Sequence, residues 1–384
     1  MGQALLRQGP ITVIGDGLAG TVLALSLARQ GAAVRLVGDG GNTATALSYG
    51  AVIWGPPSWA WRRLERLHGP LGWHPSGLVF HDARPGLPGR LAALTRRVPV
   101  PLARIDSPTW MAARPQALAA AGVHHLARRV RALAPRPEGG WALDLELDPT
   151  THQEPDPTGR GAGDSVLEAS TVVLAAGAGS RRLWPALPSR LRHSWAGVLL
   201  MGPEGPANPW LEQARRGRIV QPRHWQRPAL EAASGIPTPS PRWIVDAGLA
   251  PWGDGVVLGQ ISWLPGAPEA ADPGPSSSGP GTCGAPEPPD AGWMEARLRD
   301  GLGRLDPQLA ALPAPYRQVP VTYCTDGQPL VGPVEGAPGL WTFVGFSGAF
   351  SLVPTWADRL ATLLLANAGP PGAGWADGAS RPHP

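Results

Sequence analysis

The sequence predicts an α/β fold, in which a parallel sheet with helices on both faces is joined to a second, mostly antiparallel β part. Three stretches carry this reading. "ITVIGDGLAGTVLALSLARQGAAVRLVGDGG" (Ile11 to Gly41) is an apolar strand, a turn with three glycines, a helix and a second strand. "STVVLAAGAGS" (Ser170 to Ser180) is a continuous apolar run ending in glycine, as expected of a strand buried on both faces. "RHSWAGVLLMG", "RWIVDAGLAPWGDGVVLGQISW" and "YRQVPVTYCTDG" read as antiparallel strands with turn signals such as Gly253-Asp254-Gly255.

In chain order, Ile11 to Ile14 is a strand. Leu18 to Gln30 is a helix with apolar residues at Val22, Leu23, Leu25, Leu27 and Ala28, and Ala33 to Val37 is a strand. Near the end, "LWTFVGFSGAF" gives a strand that breaks at Gly345, and "VPTWADRLATLLLA" (Val353 to Ala366) gives a helix. Three stretches, 148–165, 267–292 and the tail 368–384, carry too few apolar residues to offset the entropy of ordering them. The expected division is a discontinuous nucleotide-binding domain (1–60, 166–192 and 320–367) and a substrate domain (61–165 and 193–319).

Composition narrows the chemistry. With 384 residues, 43% of them hydrophobic, the chain can bury a sizeable core, while 51 Gly and 47 Pro imply many turns. All 33 basic residues are arginine, which excludes lysine Schiff-base and P-loop chemistry. The arginines are scattered in pairs such as Arg62-Arg63 and Arg128-Arg129, so no nucleic-acid partner is expected. Cys283 and Cys324 form neither a disulfide framework nor a metal-ligand spacing, and no metal is expected. MGQALLRQGP lacks the apolar core of a signal peptide and no window reaches the ~18 apolar residues of a span, so the expectation is a soluble cytoplasmic protein. The sequence leaves the oligomeric state open.

Gly15-x-Gly17-x-x-Gly20 sits between strand and helix, where a dinucleotide-binding, Rossmann-like turn requires it. The first glycine makes the turn, the second admits a pyrophosphate and the third lets helix pack on strand. Leu18 and Ala19 complete that turn. The position that ordinarily supplies a ribose-binding acid holds Gly38, and the acid follows as Asp39. His124-His125, read at a helix end, and the isolated His193 and His224 are surface or packing residues.

After the glycine turn, "TALSYGAVIWG" (Thr45 to Gly55), "ARRVRAL" (Ala127 to Leu133), "TVVLAAGAGSRRL" and "TDGQPLVGPVEGAPGLWTFVGFSGAFSLVPTWADRLATLL" (Thr325 to Leu364) follow in one order, and together these segments resemble the D-amino acid oxidase, glycine oxidase and sarcosine oxidase superfamily. "ARRVRAL" resembles the family's strand beside the adenine, with Val130 in that place. The resemblance implies an FAD-dependent oxidoreductase that oxidises a C–N bond of a small amine or amino acid by hydride transfer to the flavin. Beyond the glycine turn and Asp39, it implies cofactor contacts from Thr45, Ala46, Leu47, Val130, Ala176, Gly177 and the turn Gly345, Phe346, Ser347, Gly348 and Ala349.

By the same resemblance, Arg317 would bind a substrate carboxylate and Tyr323 would face the substrate; no catalytic residue is assigned. Cys324 is expected to be a buried thiol rather than a covalent flavin attachment. The chain departs from its relatives in lacking an arginine in the last glycine turn and a lysine beside the flavin. An acceptor other than oxygen therefore stays open. So do a reductase or desaturase of a hydrophobic substrate, with Trp54, Trp59, Trp61, Trp243 and Trp263 lining an apolar cavity, and a flavin-binding protein without turnover.

Overall fold

The computed structural model describes residues 9–41, 43–82, 86–146, 166–236, 238–266 and 287–367. The segments 148–165 and 368–384 lie outside the described residues, as does 267–286 of the middle insert. Of its remainder, 287–292, the last two residues open helix Ala291–Leu305, which Asp290 caps by accepting the Trp293 amide (2.6 Å).

A six-stranded sheet has the order Leu330–Pro333, Leu340–Val344, Val172–Leu174, Ile11–Ile14, Val34–Val37 and His124–Leu126. All neighbours are parallel except the first pair. Ile11–Ile14 is buried at every position, as a central strand covered on both faces must be. Helices Leu18–Arg29, Ser107–Ala120 and Ala349–Asn367 close one face over Val13, Leu36, Val173 and Phe343. The other face is carried by a three-stranded antiparallel sheet, Val130–Pro135, Trp141–Leu145 and Val166–Ala169, with the short helix Ser180–Leu183 beside it. Trp141 and Leu143 of that small sheet meet Ile14, Val172 and Leu174.

The remaining strands form an eight-stranded sheet ordered Tyr316–Cys324, Leu191–Met201, Gly255–Leu264, Arg242–Trp252, Ile219–Pro222, Trp73–His81, Val100–Ile105 and Ala51–Ile53. The expected hairpin joins Arg242–Trp252 to Gly255–Leu264 through Gly253-Asp254. Helix Ala291–Leu305 lays Met294, Leu298 and Leu302 on this sheet.

Two local expectations are corrected. His124-His125 lies not at a helix end but on the edge strand of the parallel sheet, pairing with Arg35 and Leu36. The last helix starts at Ala349, before Pro354, rather than at Val353. Proline removes the amide that would bond the Phe350 carbonyl, and the Trp61 indole N–H donates to that carbonyl instead (2.6 Å), so the helix extends through the proline.

Candidate functional site

A cleft of about 580 Å³ opens at the carboxyl ends of the parallel strands and continues to the face of the eight-stranded sheet. One end is lined by the glycine turn, Val37 to Asp39, Thr43, Thr45 and Arg128 to Val130. The middle is lined by Ala175 to Gly179, and the far end by Ala196, Gln221, Arg227, Gln260, Val319 to Thr322 and Gly345 to Phe350.

Each glycine of the first turn has a distinct geometric reason. Gly15 has φ +105°, and a Cβ there would stand 2.5 Å from the Ala175 carbonyl oxygen. A Cβ at Gly20 would overlap the Gly15 carbonyl oxygen, so helix and strand could not approach, and Gly20 itself stays outside the cleft. Gly17 differs, since a Cβ there meets nothing nearer than 3.9 Å and would project into open cleft.

Helix Leu18–Arg29 has no side-chain cap and no acid in its first turn. The Leu18 amide donates to Thr45 Oγ1 (3.2 Å). With glycine at the N-cap and only the Leu18 amide taken by Thr45, the amino end of this twelve-residue helix opens on a long cleft with the amide donors that a pyrophosphate needs. The residues present therefore fit a dinucleotide.

Of the positions singled out in the sequence, Gly15, Gly17, Leu18, Ala19, Asp39, Thr45, Leu47, Val130, Ala176, Gly177 and Gly345 to Ala349 all line this cleft. Ala46 does not; its carbonyl accepts the Trp252 indole N–H (2.8 Å), fixing the segment to the hairpin of the larger sheet. Asp39 is held by Arg129 through Nε (2.7 Å) and Nη2 (2.6 Å).

Neither substrate candidate lines this cleft. Arg317 stands two residues beyond the cleft-lining stretch 319–322, is exposed, and donates to the adjacent Tyr316 carbonyl (3.0 Å). Residue type locates an arginine on a strand but not how far along it the cleft reaches. Tyr323 is buried outside the cleft, with its hydroxyl against Ser234 Oγ (2.8 Å), and burial pushes its pKa up to about 12. None of Trp54, Trp59, Trp61, Trp243 and Trp263 lines the cleft; Trp61 is core, and Trp54, Trp59 and Trp243 are exposed. Among the described residues, Trp225 is the tryptophan that lines the cleft. Cys324 is buried as expected, and burial raises its pKa.

The arginine at the far end of the cleft is Arg227. Its Nε donates to Glu231 Oε1 (2.7 Å), and Glu231 Oε2 accepts the hydroxyl of Ser347 from the closing turn (2.7 Å). The amides of Gln226 and Arg227 donate to Asp246 (3.0 and 3.1 Å), pinning the start of helix Arg227–Ala233. Burial, the largest influence, raises the Asp246 pKa. Tyr49, also lining the cleft, donates its hydroxyl to the Gly259 carbonyl (2.7 Å). The i,i+4 spacing of Arg227 and Glu231 is visible in the sequence, but which of 33 arginines faces a cleft is not. No group of three His, Cys, Asp or Glu residues among the described residues could hold a metal ion, and no described helix is long and apolar enough to cross a membrane.

Solved structures place this fold. Glycine oxidase from Geobacillus kaustophilus superposes with a TM-score of 0.58 at 14% identity, covering 93% of each chain. L-proline dehydrogenase from P. horikoshii gives 0.56 at 14% identity over 94% of each chain. The chain thus shares the fold of these glycine oxidase and L-proline dehydrogenase structures, in keeping with the resemblance read in the sequence. Among curated proteins, the tRNA 5-methylaminomethyl-2-thiouridine biosynthesis bifunctional protein MnmC of Verminephrobacter eiseniae (strain EF01-2) is 29% identical over 399 residues, 87% of this chain. The chain spans 57% of that relative's length. No family model matches.

Proposed function

We propose that the chain is an FAD-dependent oxidoreductase that oxidises a C–N bond of an amine or amino acid. The observation that carries this reading is one continuous cleft, with a helix amino end and glycine cradle at one end and the Arg227–Glu231–Ser347 cluster at the other. Gly15 to Ala19, Thr45 and Val130 would hold the adenosine diphosphate half, and Ala176, Gly177 and Gly345 to Ala349 the flavin half. The bound flavin supplies a two-electron acceptor for a hydride. The discontinuous domain division given by the sequence is part of the same proposal.

The protein's own part is orientation and exclusion of water. Arg227 presents a planar guanidinium to a substrate carboxylate, and Glu231 with Ser347 fixes its direction. Val319, Val321 and Phe346 supply apolar walls. A visible flavin spectrum in purified protein, followed by anaerobic bleaching with a panel of amines and amino acids, tests the reading. Protein that stays colourless after FAD is added overturns it.

A second reading concerns the carrier of the amine. The likeness to a protein named for tRNA 5-methylaminomethyl-2-thiouridine biosynthesis supports an aminomethyl group borne on a tRNA nucleoside as the substrate. Bleaching by such a tRNA, and not by free amino acids, would favour it over the small-molecule substrate and reverse the expectation of no nucleic-acid partner.

A further inference from the structure

We infer that Asp16, from inside the glycine turn, supplies the carboxylate that accepts the hydroxyls of the adenosine ribose, in place of the acid missing at Gly38. This inference rests on the FAD reading above. A Cβ built on Gly38 would fall on the Asp16 carboxylate, 2.5 Å from Oδ1, so the Asp16 side chain occupies the space into which a side chain at position 38 would grow. Side chain and position cannot both be filled, which explains why the acid at the end of the second strand is replaced by glycine.

Asp16 lines the cleft and is only 4% exposed. Its partners converge on one oxygen: the Gly40 amide (3.1 Å), Arg114 Nη2 (3.4 Å) and His125 Nε2 (3.4 Å) all approach Oδ2, while Arg114 Nη1 donates to the Asp16 carbonyl. No side chain or amide of another described residue donates to Oδ1. A buried, cleft-lining carboxylate with one oxygen held by its neighbours keeps acceptor capacity on the other for a hydroxyl donor. Burial works against its charge, but the His125 contact and the Arg114 guanidinium outweigh it, so its pKa lies below the ordinary value and the carboxylate is ionised at neutral pH. Asp39 is engaged elsewhere, with its Oδ2 held by Arg129 and its Oδ1 accepting the Gly41 amide (3.1 Å).

The test is binding, not turnover. Apoprotein is titrated with FAD and with an FAD analogue whose adenosine half is 2′,3′-dideoxy, following quenching of flavin fluorescence. The wild type is expected to prefer FAD by about tenfold or more, the worth of a hydrogen bond to a charged group. Asp16→Asn is expected to reduce that preference to within about threefold, and Asp39→Asn to keep it. Thermal melts of each apoprotein report folding. Should Asp16→Asn not fold, Asp16→Gly combined with Gly38→Glu returns a carboxylate to the same space and is expected to restore the preference. Undiminished preference in Asp16→Asn, or none in the refolded pair, overturns the assignment while leaving the FAD reading standing. Wild-type protein that binds neither compound overturns both.

Discussion

At Gly17, the structure separates what stability needs from what a ligand needs. Gly17→Ala places a methyl in open cleft, so the apoprotein melt should be unchanged while FAD affinity falls about tenfold or more, as amide–phosphate hydrogen bonds are held apart. Gly15→Ala must instead leave a left-handed backbone and meet Ala175, so apoprotein stability itself should fall by about 1 kcal/mol or more. Urea titrations of the two apoproteins, beside flavin titrations, check both outcomes. Arg227→Met would leave Glu231 buried with only the Ser347 hydroxyl, and should raise KM for a carboxylate-bearing amine about a hundredfold with a much smaller change in FAD affinity. The glycine spacing was legible because a turn is local chemistry. Arg227 was not, because its role depends on a cleft formed by strands distant in the chain.

Among the elements, the last helix shows how a local rule yields to tertiary contact. The sequence puts the helix start at Val353, beside Pro354, yet helix Ala349–Asn367 runs through the proline, and Trp61, on helix Pro56–His68, donates to the carbonyl that proline leaves without a partner. Trp61→Phe keeps the aromatic bulk and removes the donor. It should cost about 1–3 kcal/mol in chemical denaturation, the penalty of one unsatisfied buried carbonyl. Four of the eight strands of the larger sheet were recognisable from their turn signals. How far each extends past the cleft was not, and so Arg317 and Tyr323, read correctly as strand residues, stand outside it.

Over the whole molecule, burial depresses the pKa of His68, His74, His81 and His193 below the ordinary value of 6.5; for His193, Arg181 and Arg192 add to the effect. The unfolded chain therefore binds more protons than the folded one as pH falls below 6.5. The contribution of these histidines is fully present above that pH and is lost as pH falls through their folded values. Melting temperature should drop from pH 7.5 to pH 5.5, and His81→Gln, which can keep a donor for the Ala247 carbonyl, should flatten the profile. The sequence by itself determined the α/β class and the glycine cradle, because strand periodicity and turn sterics act over a few residues. It also determined the chain order of the segments that line the cleft. Tertiary structure alone decided which carboxylate lies beside Gly38, which arginine meets the closing turn, and that the tryptophans named as a cavity lining lie outside the cleft. Those outcomes depend on where distant strands and helices stop against one another, and contact across a cleft has no period in the sequence.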